Sequence, residues 1–168
     1  MAADKNVTLG LDYPITKMNF LVTVAGIGGT AAFSEITGVD ASVDVIEFRQ
    51  GNAHSLAPLK LPGLVHHGNV TMKMGMTNSN PLMQWIMDCV SEQRPALSRK
   101  DISIELIDSN LDVSKTPITG TQGGKIWVLK DAWVTKYNAP DLDAKTSDVA
   151  IVSMEVAYET LEFPTAGA

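Results

Sequence analysis

The stretch Val70-Thr-Met-Lys-Met-Gly75, followed by Pro81-Leu-Met-Gln-Trp-Ile-Met-Asp-Cys89, sets two periods almost side by side. Val70, Met72 and Met74 recur at every second position, which predicts a strand with one apolar face. Leu82, Trp85, Ile86 and Cys89 then follow helical spacing and predict one amphipathic helix. Pro81 suits the first helical position, where a missing N–H leaves no bond unmade, and Ser79 or Asn80 is placed to cap it. Pro95 lies beyond the end of this pattern.

Outward from this stretch, the rest of the chain reads as strands. On the N-terminal side, Met18–Ala25 places Met18, Phe20, Val22 and Val24 on one face, and Gly26, Gly28 and Gly29 mark a turn. Further strands are expected from about Ala31 to Thr37 and from about Ser42 to Gln50. Asn52–Gly68 holds Pro58, Pro62, Gly63 and Gly68, and reads as a long connection, a kind that is often functional. Its leucines, Leu56, Leu59, Leu61 and Leu64, either tuck back onto the body or bury against a neighbouring subunit.

On the C-terminal side, Ile102, Ile104 and Leu106 alternate with polar residues. Asp108–Gly124 is polar and reads as a hairpin tip. Lys125 to about Tyr137 places Trp127, Leu129, Trp133 and Tyr137 on one side, and Val149–Glu162 does the same with Ala150, Val152, Met154, Val156 and Tyr158. The expected fold is mainly β: a small β-barrel or sandwich of about seven strands, with the helix closing one opening. The expected organisation is an N-terminal segment 1–14, one domain 15–163 and a C-terminal tail 164–168.

Composition narrows the function. The chain has 168 residues, 45% of them hydrophobic, which suits one globular domain with a sizeable core. Charged residues make up only 19%, a shortfall that fits either a large β core with short loops or surface buried in an assembly. The net charge of −6 and the lack of a Lys/Arg cluster beyond Arg94, Arg99 and Lys100 disfavour nucleic-acid binding. Cys89 is the only cysteine, so no intrachain disulfide forms. Met1–Asp12 lacks a basic start followed by an apolar stretch, so no Sec-type leader is expected, nor any span of a membrane. Folding is expected in the cytoplasm.

Catalytic motifs fail on context. Gly26-Ile-Gly-Gly29 follows a strand but leads into another strand, not a helix, so the dinucleotide fingerprint is not met. There is no Gly-x-Ser-x-Gly elbow and no phosphate loop with its lysine. Cys89 falls on the apolar helix face, where an inert thiol is expected. His66 and His67, with His54 nearby, are the one cluster of metal-ligating type. Adjacent residues of an extended chain point to opposite sides, so they do not converge on one ion without a turn. Asp141 and Asp143 beside Pro140 read as turn or capping residues. Met72, Met74 and Met76 read as core, with an adaptable contact surface as the alternative. No enzyme activity, metal or cofactor is expected.

An ordered set of motifs then points to a family. It runs through Asn19-Phe20, Thr37-Gly38-Val39, Val45-Ile46-Glu47-Phe48-Arg49-Gln50-Gly51, Lys60-Leu61-Pro62-Gly63, Val70–Gly75, Asp131-Ala132-Trp133 and Pro140-Asp141-Leu142-Asp143-Ala144. This resembles the tail tube proteins of contractile-tailed phages and of phage-like extracellular contractile injection systems. The chain departs from the pattern at Met74, where a basic residue is usual, and at Val134, where proline is usual.

The resemblance implies a subunit that pairs strands with its neighbours into six-membered rings, which stack into a hollow inner tube. The implied partners are a surrounding sheath, baseplate and terminator proteins, and DNA or protein cargo that passes without tight binding. By the same resemblance, Glu47, Arg49, Leu56, Leu59, Leu61 and Leu64 are the expected contacts between subunits. Arg49 is expected either to pair across copies or to remain a solvated strand end. Ser34, Ser42, Asp44, Thr71 and Lys73 are the expected lining of the lumen. The alternatives are a baseplate-proximal tube initiator of the same family, and a monomeric β-barrel that binds a small molecule.

Overall fold

A computed structural model describes residues 16–27, 30–31, 33–51, 57–76, 81–91, 98–107, 125–145 and 148–164. In chain order the strands are β1 (Phe20–Val24), β2 (Thr30–Ala31), β3 (Phe33–Thr37), β4 (Ser42–Phe48), β5 (Leu59–His66) and β6 (Val70–Gly75). The helix α1 (Pro81–Val90) is followed by β7 (Lys100–Leu106), β8 (Lys125–Asn138), β9 (Ile151–Ala157) and β10 (Thr160–Glu162). The described residues thus hold ten strands where the sequence pattern suggests about seven. The expected hairpin tip Asp108–Gly124, the helix-cap candidates Ser79 and Asn80, and His54 and Leu56 lie outside the described residues.

Eight strands form one sheet in the order β2-β1-β7-β8-β9-β6-β3, with β10 also paired to β8. All of its pairings are antiparallel. The order does not return on itself, so of the expected barrel or sandwich the described strands form no closed barrel but an open sheet folded over. The fold is made by β8, whose first half pairs with β7 and second half with β9. At the change of partner, Asp131 takes φ 51° and the register with β7 slips between Lys100 and Ile102. A β-bulge is the usual way to turn a strand from one layer to another.

The core lies between the two halves of this sheet. Val22, Val24, Ile102, Ile104 and Leu129 face Val70, Met72, Val134, Met154 and Val156, and all are buried. Burying each of the larger aliphatic side chains stabilises the fold by about 1.5–3 kcal/mol. Helix α1 adds Leu82, Trp85, Ile86 and Cys89, the four positions its spacing selects. The Trp85 indole N–H donates to the Ser98 carbonyl, so the polar atom of this buried ring is satisfied.

Three expected elements differ. The strand expected over Ala31–Thr37 is two strands with different partners, β2 on β1 and β3 on β6. Strict alternation in Lys125–Tyr137 breaks at the Asp131 bulge. Leu129 is buried, and beyond the bulge the inward positions become Ala132 and Val134. Trp133 is left half-buried under the Arg99 guanidinium, which sits 4.6 Å from its ring centre. The last expected strand bends at Tyr158 and Glu159 into β9 and β10.

Candidate assembly interface

The largest correction concerns Asn52–Gly68. Its described part is not a connection but strand β5, which pairs with β4 as a separate two-stranded sheet. Pro62 is tolerated because the register shifts beside it: Val43 faces Val65, yet Val45 faces Pro62. Asp44 therefore stands opposite both Gly63 and Leu64. A Cβ on Gly63 would lie 3.0 Å from the Asp44 carbonyl oxygen, so the bulge is built on a glycine.

Both faces of this hairpin are open to solvent. Ile46 and Phe48 on β4 pair directly with Leu61 and Leu59 on β5, and alternation puts these four on one face. Each is more than half exposed. Val43, Val45 and Val65 are equally open on the other face, and Leu64 at the bulge is 72% exposed. An isolated two-stranded hairpin is marginal in water, and an apolar patch of this kind marks a contact surface. Glu47 pairs with Lys60 across the strands at 3.7 Å. Arg49 follows β4 and makes no ion pair among the described residues.

The base of the hairpin is tied to the body. Tyr158 Oη donates to the Asp40 carbonyl at 2.7 Å, and the Gly68 N–H donates to Asp40 Oδ1 at 2.7 Å. The His67 ring packs on Tyr158 with centroids 5.1 Å apart. Burial holds the Tyr158 phenol above its ordinary pKa, so it remains a proton donor. His66 does not join His67 around an ion: its Nε2 lies 2.9 Å from Asp44 Oδ2. Sequence reasoning found no carboxylate near the histidines because Asp44 comes close only through strand pairing. Among the described residues no group of side chains is arranged to hold a metal.

The expected lumen residues divide in two. Thr71 and Lys73 lie on the outer face of the β3-β6-β9-β8 layer. Register places Glu35, Lys73, Ser153 and Asn138 in one row across it, and Thr37, Thr71, Glu155 and Lys136 in the next. Lys73 pairs with Glu35 at 2.9 Å and Lys136 with Glu155 at 3.7 Å, so the two lysines and two glutamates of this face cancel. Ser34 donates to the Lys73 carbonyl at the edge of the layer. Ser42 and Asp44 belong to the hairpin, where both reach His66. Glu35, Lys136, Ser153 and Glu155 share this polar face with Thr71 and Lys73, and the period of β9 alone sets Ser153 and Glu155 opposite the core.

Residues 16–162 match the family model described as T4-like virus tail tube protein gp19. The chain belongs to this family. As a tail tube protein its role is structural, that of a tube subunit. Solved structures share the fold. A chain of the sheath–tube complex of an extracellular contractile injection system, PVC, in the extended state has TM-score 0.70 at 24% identity, over 92% of this chain and 93% of that one. A chain of the PVC sheath/tube terminator has TM-score 0.71 at 24% identity, over 92% and 99%. A chain of the anti-feeding prophage tube-terminating cap has TM-score 0.71 at 22% identity, over 98% and 100%. No curated protein sequence matches this tail tube protein at a significant level. Among its described residues, no helix is long and apolar enough to cross a membrane.

Proposed function

We propose that copies of this chain close into six-membered rings by pairing strands, and that the rings stack into the hollow inner tube of a contractile tail or injection particle. The observation that carries this reading is the β4–β5 hairpin. It leaves Ile46, Phe48, Leu59 and Leu61 open on one face of a chain whose core is already complete without them. Glu47, Arg49, Leu59, Leu61 and Leu64 are the contacts between copies on this reading, with Leu56 nearby in sequence. Stacking head to tail propagates until a different protein caps it.

The lumen wall is the polar face that carries Thr71 and Lys73, with Ser34, Ser42 and Asp44 continuing it onto the hairpin. Its lysines are paired with Glu35 and Glu155, so it offers the phosphates of a DNA cargo no free positive charge to bind. A sheath surrounds the tube, and baseplate and terminator proteins close its ends. This assembly is a conduit and not a catalyst, made in the cytoplasm and completed as part of the particle.

Negative-stain microscopy of the purified protein tests the proposal. Long tubes of uniform width are expected. Single rings that do not extend would assign the chain to tube initiation instead, and a stable monomer at high concentration would overturn the reading.

A further inference from the structure

We infer that residues 7–15 of this same chain fold back over its own body and fill an apolar groove between β3 and the β1–β7–β8 wall. This goes beyond the tube reading and holds for the single chain, whether or not copies assemble. The groove has a volume of about 780 Å³ and is walled chiefly by Met18, Phe20, Ile36, Val39, Leu106 and Trp127. Phe20, Ile36, Val39 and Trp127 pack against the core, yet each keeps part of its surface open. Lys17 and Glu35 also line the groove, one of each sign, so charge favours no occupant and apolar surface decides.

Three observations name the occupant. First, the described chain begins at the groove. Lys17 and Met18 line it, and the chain turns at these two residues just before β1. Residues 1–15 lie outside the described residues, and a turn at that point lets them run back over the groove. Second, Val7-Thr-Leu-Gly-Leu-Asp-Tyr-Pro-Ile15 sets Val7, Leu9, Leu11, Tyr13 and Ile15 at every second position. In an extended segment these five share one face, and burying that face against the groove removes apolar surface of both from water. Asp108–Gly124, which follows β7 past Leu106, is polar and carries no such run of five. Third, the tether favours the chain's own segment. Nine extended residues reach about 30 Å, well beyond the first turn of chain at Lys17. A segment joined so closely meets the groove at an effective concentration in the millimolar range, which a free second copy does not match.

The test uses the full chain as free subunits. Leu9→Asp combined with Leu11→Asp should lower the melting temperature by at least about 4 °C, since two apolar side chains leave the groove. The same pair should open Trp127 to quenching by acrylamide. That added quenching should vanish on a Trp127→Phe background, which ties the signal to the groove and not to Trp85 or Trp133. Unchanged quenching would overturn the inference even if the melting temperature fell, because the segment would then pack elsewhere.

A disulfide then separates the chain's own groove from a neighbour's. Ser34 lines the groove and is exposed, and Cys89 is buried away from it. Ser34→Cys paired in turn with Leu9→Cys, Leu11→Cys or Tyr13→Cys should give, for at least one pair, a bond within one chain. On a non-reducing gel it runs as a single chain of altered mobility. Bonds only between chains would assign the segment to a second copy and overturn the inference, as would the absence of any bond in all three pairs.

Discussion

Tyr158 Oη donates to the backbone carbonyl of Asp40 at 2.7 Å, joining positions 118 residues apart in the chain. The bond fixes the segment where β3 hands over to the exposed hairpin. Tyr158→Phe removes the donor and leaves the Asp40 carbonyl short of a partner, at a cost of about 1 kcal/mol. A drop in melting temperature of about 2–4 °C is expected for a domain of this size. Hydrogen exchange should rise in β4 and β5 before it rises in β9. Equal exchange in wild type and variant would show that the bond does not hold the hairpin.

The same phenol gives an alkaline limit. Burial raises its pKa above the ordinary 10.0, so the folded state holds the proton more tightly than the unfolded chain. Its contribution is complete below the unfolded value and is lost as pH rises through the folded one. Stability measured in urea should therefore fall above about pH 10, and Tyr158→Phe should flatten that limb.

Gly38 is a second fixed point at the hairpin base. Its φ is 88°, and a Cβ there would stand 2.6 Å from the Asn69 carbonyl oxygen, a backbone atom that has no room to yield. Gly38→Ala combines a disfavoured backbone conformation with a clash, and is expected to cost about 2–4 kcal/mol. Urea denaturation measures it as a lower midpoint with an unchanged slope.

Much of this architecture could be read from the order of apolar residues. Leu82, Trp85, Ile86 and Cys89 announce the helix face, and Val152, Met154, Val156 and Tyr158 announce β9, because each set buries against one layer and keeps one period. Reading stopped where the period does. Asp131 shifts the inward set of β8 by one position, and no local signal gives the φ of 51° that does so. In β5, Pro62 and Gly63 look like a loop, since proline and glycine are rare inside strands. They fit because the strand is one of only two in its sheet and carries a bulge. The polar face was half legible: Thr71 and Lys73 follow from the alternation of β6, whereas their neighbours Glu35 and Ser153 depend on register between strands distant in sequence.

That register makes the polar face testable. Ser153 sits in its middle, beside Lys73, and is part-exposed in the single chain. A Ser153→Cys variant should react with a bulky polymer-linked maleimide when unassembled, and be protected once tubes have formed. A small maleimide should still reach it through the lumen. Equal labelling by the bulky reagent in tubes and in free subunits, read as a gel shift, would place this face on the outside.

Asp101 supports the bulge that folds β8. One carboxylate oxygen accepts from Lys130 Nζ at 2.8 Å and the other from the Asp131 N–H at 3.2 Å. The Lys130 hydrogen bond, followed by the Asp131 N–H, holds the Asp101 carboxyl below its usual pKa. Stability from this group is present above the unfolded carboxylate value and is lost as pH falls through the lower folded one. Melting temperature should therefore fall as the solution is acidified below about pH 4, and Asp101→Asn should soften the fall. Both side chains are more than a third exposed, so the effect is that of a screened surface pair and shrinks further in salt.

Cys89 reports on the core itself. The thiol lies on the buried face of α1, and burial raises its pKa, so little thiolate is present at neutral pH. A disulfide reagent should therefore modify the native protein slowly, at a rate set by opening of the helix from the sheet. Ile86→Ala, which empties a fully buried site on the same face, should cost about 2–5 kcal/mol. Where opening precedes modification, each 1.4 kcal/mol speeds labelling about tenfold, so this variant should label at least about tenfold faster. Leu61→Asp, on the exposed hairpin, should leave the rate in the free subunit unchanged. If both variants accelerated labelling alike, the hairpin would be part of the same cooperative unit as the core, and could not move independently to meet a second copy.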